Sequence, residues 1–189
     1  MNRSKVPLMS QDNNGETYSY DVCINCKTTC CQDAKPPLSD ERKKILTQYL
    51  QEHGLNLDNP FSTEGGYTFP SVDKDDVCVF YDRKTKHCIV HPVKPETCVS
   101  SPITFDINFH TGMVEFYLKK AVICEYVGVL LHDKPALKQL FLVAHDKIVE
   151  LIKQLSADEL RTICEIEEPD TFKYCQEPLP MEVARKLDL

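Results

Sequence analysis

Ten cysteines dominate the chemistry available to this 189-residue chain. Four fall within nine residues as Cys23-x2-Cys26-x3-Cys30-Cys31, and Cys78, Cys88 and Cys98 recur at wider intervals. A thiolate is a soft ligand for zinc, iron or an iron–sulfur cluster, and a short loop rich in thiolates can fold around one cation. Cys124 is the eighth cysteine of the first two-thirds of the chain. Eight thiolates fill two four-coordinate sites, or one site with several buried thiols left over, and the spacing does not choose. Cys30 and Cys31 are neighbours, so an extended backbone would send their side chains to opposite faces and only one would serve a given metal. Cys164 and Cys175 read as plain residues, because free cysteine is often simply buried. His87 and His91 flank Cys88 and are candidates for imidazole ligation or for support of the ligands.

The rival use of cysteine is a disulfide framework, which belongs to oxidising compartments and small secreted domains. The first twenty residues lack the apolar stretch of a signal peptide, and no later segment reads as a membrane span. The expectation is therefore a cytoplasmic protein with reduced thiols. The net charge of -7, with no basic stripe, argues against nucleic acid as a partner. Lys27, Lys35, Lys84, Lys86 and Lys94 nevertheless lie near cysteines in sequence, where ammonium groups would offset the charge of a thiolate site.

Around these residues the elements follow from local signals. Residues 1–20 read as a polar arm. Ser39 followed by Asp40 and Glu41 opens a helix with Leu38 packing back onto it, and Gly54 closes it. A hairpin is expected to pair residues 77–80 with 87–90 across the polar turn 82–86, which would bring Cys78 near Cys88. A second has Ile103, Phe105, Ile107 and Phe109 alternating with polar residues, then a turn at residues 110–112 and a return strand from Met113 to Leu118. Leu137, Leu140, Phe141, Ala144, Ile148, Leu151, Ile152 and Leu155 mark a helical stripe, and Leu137, Phe141, Ile148 and Leu155 are expected to pack on that second hairpin. Ser156 to Glu159 matches a capping box, the stretch from Pro169 reads as turn-rich, and a terminal helix is expected after Pro180. The fold class is α+β: a small cysteine-rich metal-binding domain with short β-hairpins and flanking helices, then a C-terminal helical segment. The expected division is 1–20, 21–132 and 133–189.

The order of Cys23-x2-Cys26-x3-Cys30-Cys31, Leu38-Ser39-x-x-Arg42, Cys78-Val79-Phe80, Cys88-Ile89-Val90 and Pro95-Glu96-Thr97-Cys98 with Pro102 resembles the YkgJ-type cysteine-cluster family. The resemblance covers roughly residues 20–102 and implies a domain that chelates zinc or iron. Two positions depart from the family pattern: Lys94-Pro95 stands where Arg-Pro is usual, and Val99 where an arginine is usual. Lysine brings a point charge instead of a guanidinium fork.

From these readings the expected function is a 4Fe–4S iron–sulfur protein, an electron-transfer or accessory subunit of a larger redox or maturation complex. Its expected metal ligands are Cys23, Cys26, Cys30, Cys31, Cys78, Cys88, Cys98 and Cys124. A structural zinc domain is the alternative. Catalysis by this chain alone is not expected, since no H-E-x-x-H, P-loop, G-x-S-x-G or dinucleotide glycine pattern is present.

Overall fold

The computed structural model describes residues 10–11, 17–18, 30–168 and 170–189. Most of the expected polar arm, and with it Cys23 and Cys26, lies outside the described residues. Within the arm, β1 (Ser10–Gln11) pairs antiparallel with β2 (Thr17–Tyr18).

Helix α1 (Asp40–Glu52) begins where the side chain of Ser39 accepts a hydrogen bond from the Arg42 amide, with Asp40 and Glu41 in the first turn. Leu38, Leu46 and Leu50 are buried and build a small core with Phe80, Val90 and Cys78. Gly54 adopts φ +64° just past the helix, a conformation that costs a residue without Cβ little. The following segment folds as β3 (Phe61–Ser62) on β4 (Phe69–Pro70), turning through Gly65 and Gly66. At Gly66 a Cβ would lie 3.3 Å from Thr162 Oγ1, so this turn also needs glycine for close approach.

The first hairpin is shorter and differently registered than its apolar runs suggest. Strands β5 (Tyr81–Asp82) and β6 (His87–Cys88) pair with Tyr81 opposite Cys88. Cys78 lies ahead of β5 and pairs elsewhere: its amide donates to the Cys31 carbonyl at 2.9 Å, and isolated bridges join Val77 to Gln32 and Cys78 to Val72. A 3-10 turn (His91–Val93) leads through Pro95 into the five-residue helix α2 (Glu96–Ser100).

The second core carries the larger part of the apolar burial. Strands β7 (Ile103–Asn108) and β8 (Met113–Lys119) form the expected hairpin, with Ile103, Phe105 and Ile107 facing inward beside Val114, Phe116 and Leu118. After α3 (Glu125–Leu130), helix α4 (Lys134–Gln154) lays Leu137, Ala144, Ile148, Leu151 and Ile152 on that face, with Phe141 half-buried at its margin. Helix α5 (Ala157–Cys164) opens on the Ser156–Glu159 capping box. The region read as turn-rich contains a strand, β9 (Thr171–Pro178), which joins the sheet in the order β7-β8-β9. Its register shifts opposite Phe116 and Tyr117, and that irregularity breaks the alternation a sequence pattern relies on. Helix α6 (Met181–Lys186) closes the chain, and the Lys186 ammonium donates to the carbonyls of Ile152, Lys153 and Leu155 at the end of α4. The second core draws on residues from Ile103 to Leu187. The architecture is α+β.

Candidate metal centre

Four separate segments bring their cysteines within electrostatic reach of one another. The segment after Cys31 is stitched to residues 76–78 by the Cys78-to-Cys31 bond and by a 2.8 Å bond from the Asp33 amide to the Asp76 carbonyl. Ile89 donates to the Phe80 carbonyl at 2.8 Å, which draws the Cys88 turn against the Cys78 turn. Cys98 follows on α2. Cys30, Cys78, Cys88 and Cys98 all act electrostatically on one another, directly or through a shared neighbour, and Cys31 feels Cys30, Cys78 and Cys98.

Cys30 and Cys31 do not diverge as an extended backbone would require. The chain turns at these residues, and the Cys31 thiol hydrogen-bonds the Cys30 sulfur. That bond holds the Cys30 thiol down to about 6, helped by the charges of Lys94 and Lys119 and opposed by burial. The same bond keeps the proton on Cys31, whose titration is pushed far up by it, by burial and by the surrounding thiols. Burial pushes Cys78 up to about 11 and raises Cys88 and Cys98 as well. Two backbone amides oppose the trend in matching positions: Phe80 N–H points at Cys78 and Val90 N–H at Cys88, each two residues beyond its cysteine. Such N–H···S contacts stabilise thiolate and tune a metal centre through its sulfurs.

Lys94 is the buried positive charge of the site, 8% exposed, and it lowers the titration of Cys30, Cys88 and Cys98. Of the other lysines near cysteines in sequence, Lys35 lies over the Phe69 ring, Lys84 and Lys86 are exposed in the β5–β6 turn, and Lys27 is outside the described residues. Lys119, at the end of β8, is distant from Cys30 in sequence, and only the fold brings it within reach.

The donor set suits a soft cation. Crowded thiols that raise one another's titration are relieved by a cation that takes their protons' place, and the ammonium of Lys94 offsets residual negative charge. Among the described residues, no three His, Cys, Asp or Glu side chains by themselves close on a point that could hold a metal ion. His87 is exposed on β6 and His91 opens the 3-10 turn, both within three residues of Cys88. Cys124 immediately precedes α3, half-buried at the edge of the second core. Cys164 and Cys175 belong to that second core, and burial raises both thiols, Cys164 to about 12.

A family model described as CxxCxxCC, a putative zinc- or iron-chelating domain, matches residues 22–125. The chain belongs to this family. The match covers more than half of the chain and extends past the expected limit near residue 102, taking in the β7–β8 hairpin and Cys124. Membership in the CxxCxxCC family makes zinc or iron chelation the shared property of the matched region. No solved structure gives a significant match to the chain.

One supporting contact next to the cysteines is not legible in the sequence. Arg42, in the first turn of α1, forms a 2.7 Å ion pair from Nε to Oε1 of Glu96, and its Nη1 donates to the Val93 carbonyl at 3.3 Å. The Ser39-x-x-Arg42 and Glu96-Thr97-Cys98 motifs were visible, but not that each is the other's partner.

Proposed function

We propose that this chain carries an iron–sulfur cluster, of the 4Fe–4S type, and serves as an electron-transfer or accessory subunit of a larger redox or maturation complex. The observation that supports this most is the mutual electrostatic influence of Cys30, Cys31, Cys78, Cys88 and Cys98, drawn from four segments, with buried Lys94 acting on three of them. Together with Cys23 and Cys26 these residues make up the proposed ligand set, and Cys124 is the remaining candidate. A bound cluster would supply one-electron transfer. The chain's own part is to present thiols to it, to aim the Phe80 and Val90 amides at sulfur, and to place one ammonium against the accumulated negative charge.

No helix of the described residues is long and apolar enough to cross a membrane. Structural zinc in the same thiols is the second reading, supported by the family description and by the way the Cys31, Cys78 and Cys88 turns pack on the small first core. Four thiolates on zinc would then contribute folding free energy directly.

The two readings separate in protein purified without oxygen. Iron–sulfur protein is brown, and replacing Cys78 or Cys98 by serine should bleach it. Zinc protein is colourless in wild type and variant alike, and that result would overturn the cluster. Size-exclusion of a native extract tests the subunit role: elution within a heavier species supports it, and elution only as a free monomer contradicts it.

A further inference from the structure

Helix α2 holds Cys98 but has only five residues, too few to fix its own orientation, since most helical stability comes from packing. It is held instead from two sides. On one, it packs along α4, where the Ser100 hydroxyl donates to the Glu96 carbonyl of its own helix at 2.9 Å and lies 3.3 Å from the Ala144 carbonyl. On the other, Arg42 reaches from α1 to both Glu96 and Val93. A single guanidinium thus bonds the Val93 carbonyl before Lys94 and the Glu96 carboxylate after it, two residues short of Cys98.

The energetics of this grip are unusual. Glu96 is 1% exposed, and its Oε1 is paired with Arg42 while Oε2 is buried with no hydrogen-bond partner. Thr97 Oγ1, the next residue's hydroxyl, is also buried without a partner. Leaving a buried acceptor unsatisfied costs stability, and a buried ion pair is often no better than apolar side chains of the same volume. Stability alone therefore gives little reason for an arginine and a glutamate here. A planar two-pointed donor does offer direction, fixing distance and angle where a point charge fixes only distance.

We propose that the Arg42–Glu96 pair is a positioning device for the metal site: it sets the orientation of α2, and with it the placement of Cys98 and Lys94 relative to Cys30 and Cys88. This rests on the metal-binding reading above. Neither residue ligates the metal; each acts through Cys98 and Lys94. Groups that orient ligands in this way typically change metal affinity by about 10- to 100-fold when removed.

The test uses the full chain, isolated anaerobically with its own metal. Metal per folded chain is measured by mass spectrometry, and the rate of metal transfer to excess EDTA is followed alongside the urea midpoint. Glu96→Gln should release metal at least about tenfold faster than wild type. Arg42→Lys should fail to restore slow release, because an ammonium cannot serve Val93 and Glu96 as a fork. The double variant Arg42→Met with Glu96→Leu keeps volume without charge, so it should unfold at or above the wild-type midpoint and still lose metal quickly. Wild-type release rates in the folded double variant would overturn the proposal, as would full rescue by Arg42→Lys. A wild-type chain that carries no metal would instead overturn the metal reading on which the proposal rests.

Discussion

Phe116 lies at the centre of the second core, fully buried and opposite Cys175 in the sheet. Its ring meets Phe141 edge-on at 5.4 Å between centroids and lies 5.6 Å from the His145 ring. Phe116→Ala removes a buried aromatic side chain that closely packed neighbours cannot replace, a change worth about 4 kcal/mol, of which the edge-on pair accounts for roughly 1 kcal/mol. For a chain of this length the melting temperature should fall by roughly 10 °C. Phe141→Ala should cost about half as much, because Phe141 is only half-buried, between Phe116 and Tyr174. Urea unfolding followed by far-ultraviolet circular dichroism measures both, and metal per folded molecule is determined on the same samples. The small core beside Cys31, Cys78 and Cys88 does not include Phe116, so metal per folded molecule should not change. A cost below about 1.5 kcal/mol for Phe116→Ala, or metal loss in step with destabilisation, would refute this separation of the two cores.

Two further outcomes follow from polar contacts of the same core. His145 bonds Asp146 at 3.0 Å and Glu177 at 2.8 Å; burial pulls its titration down, but the two carboxylates outweigh it and the net shift is upward. A raised folded value means the imidazolium pair stabilises fully below about pH 6.5, the free-imidazole value, and is lost as pH climbs through the higher folded value. Melting temperatures from pH 6 to 8 should show that loss, worth about 0.5 kcal/mol for so exposed a pair, and Glu177→Gln should flatten it; an unchanged pH profile in the variant would contradict the assignment. Lys186→Met removes the ammonium that satisfies three carbonyls ending α4, and should cost roughly 1 to 2 kcal/mol in urea unfolding. No measurable cost would mean that water serves those carbonyls equally well.

What was legible in the sequence was what short-range chemistry specifies. The Ser39 cap, the Ser156–Glu159 box, the α4 stripe and the β7–β8 alternation each depend on residues a few positions apart, and each forms as read. The misreadings come from pairings between distant segments. Val77-Cys78-Val79-Phe80 has strand composition, but Cys78 bonds back to Cys31 and leaves only two residues for the hairpin. Strand β9 reads as turns because its register shift interrupts alternation, and its position at the sheet's edge leaves Phe172 and Tyr174 exposed. The cysteines themselves were the plainest signal in the chain. Their convergence depends on backbone bonds between segments, and the Cys30–Cys31 contact on a turn that neighbouring identical residues do not announce. Lys94 could be singled out by nearness in sequence, whereas Lys119 required the fold.

The central claim is that the gathered thiols hold an iron–sulfur cluster. Its most direct test is analysis of iron, zinc and acid-labile sulfide on the full chain purified without oxygen. The account predicts iron and sulfide in about equal amounts, four of each for a complete 4Fe–4S cluster. Zinc without sulfide, or no metal at all, would contradict it.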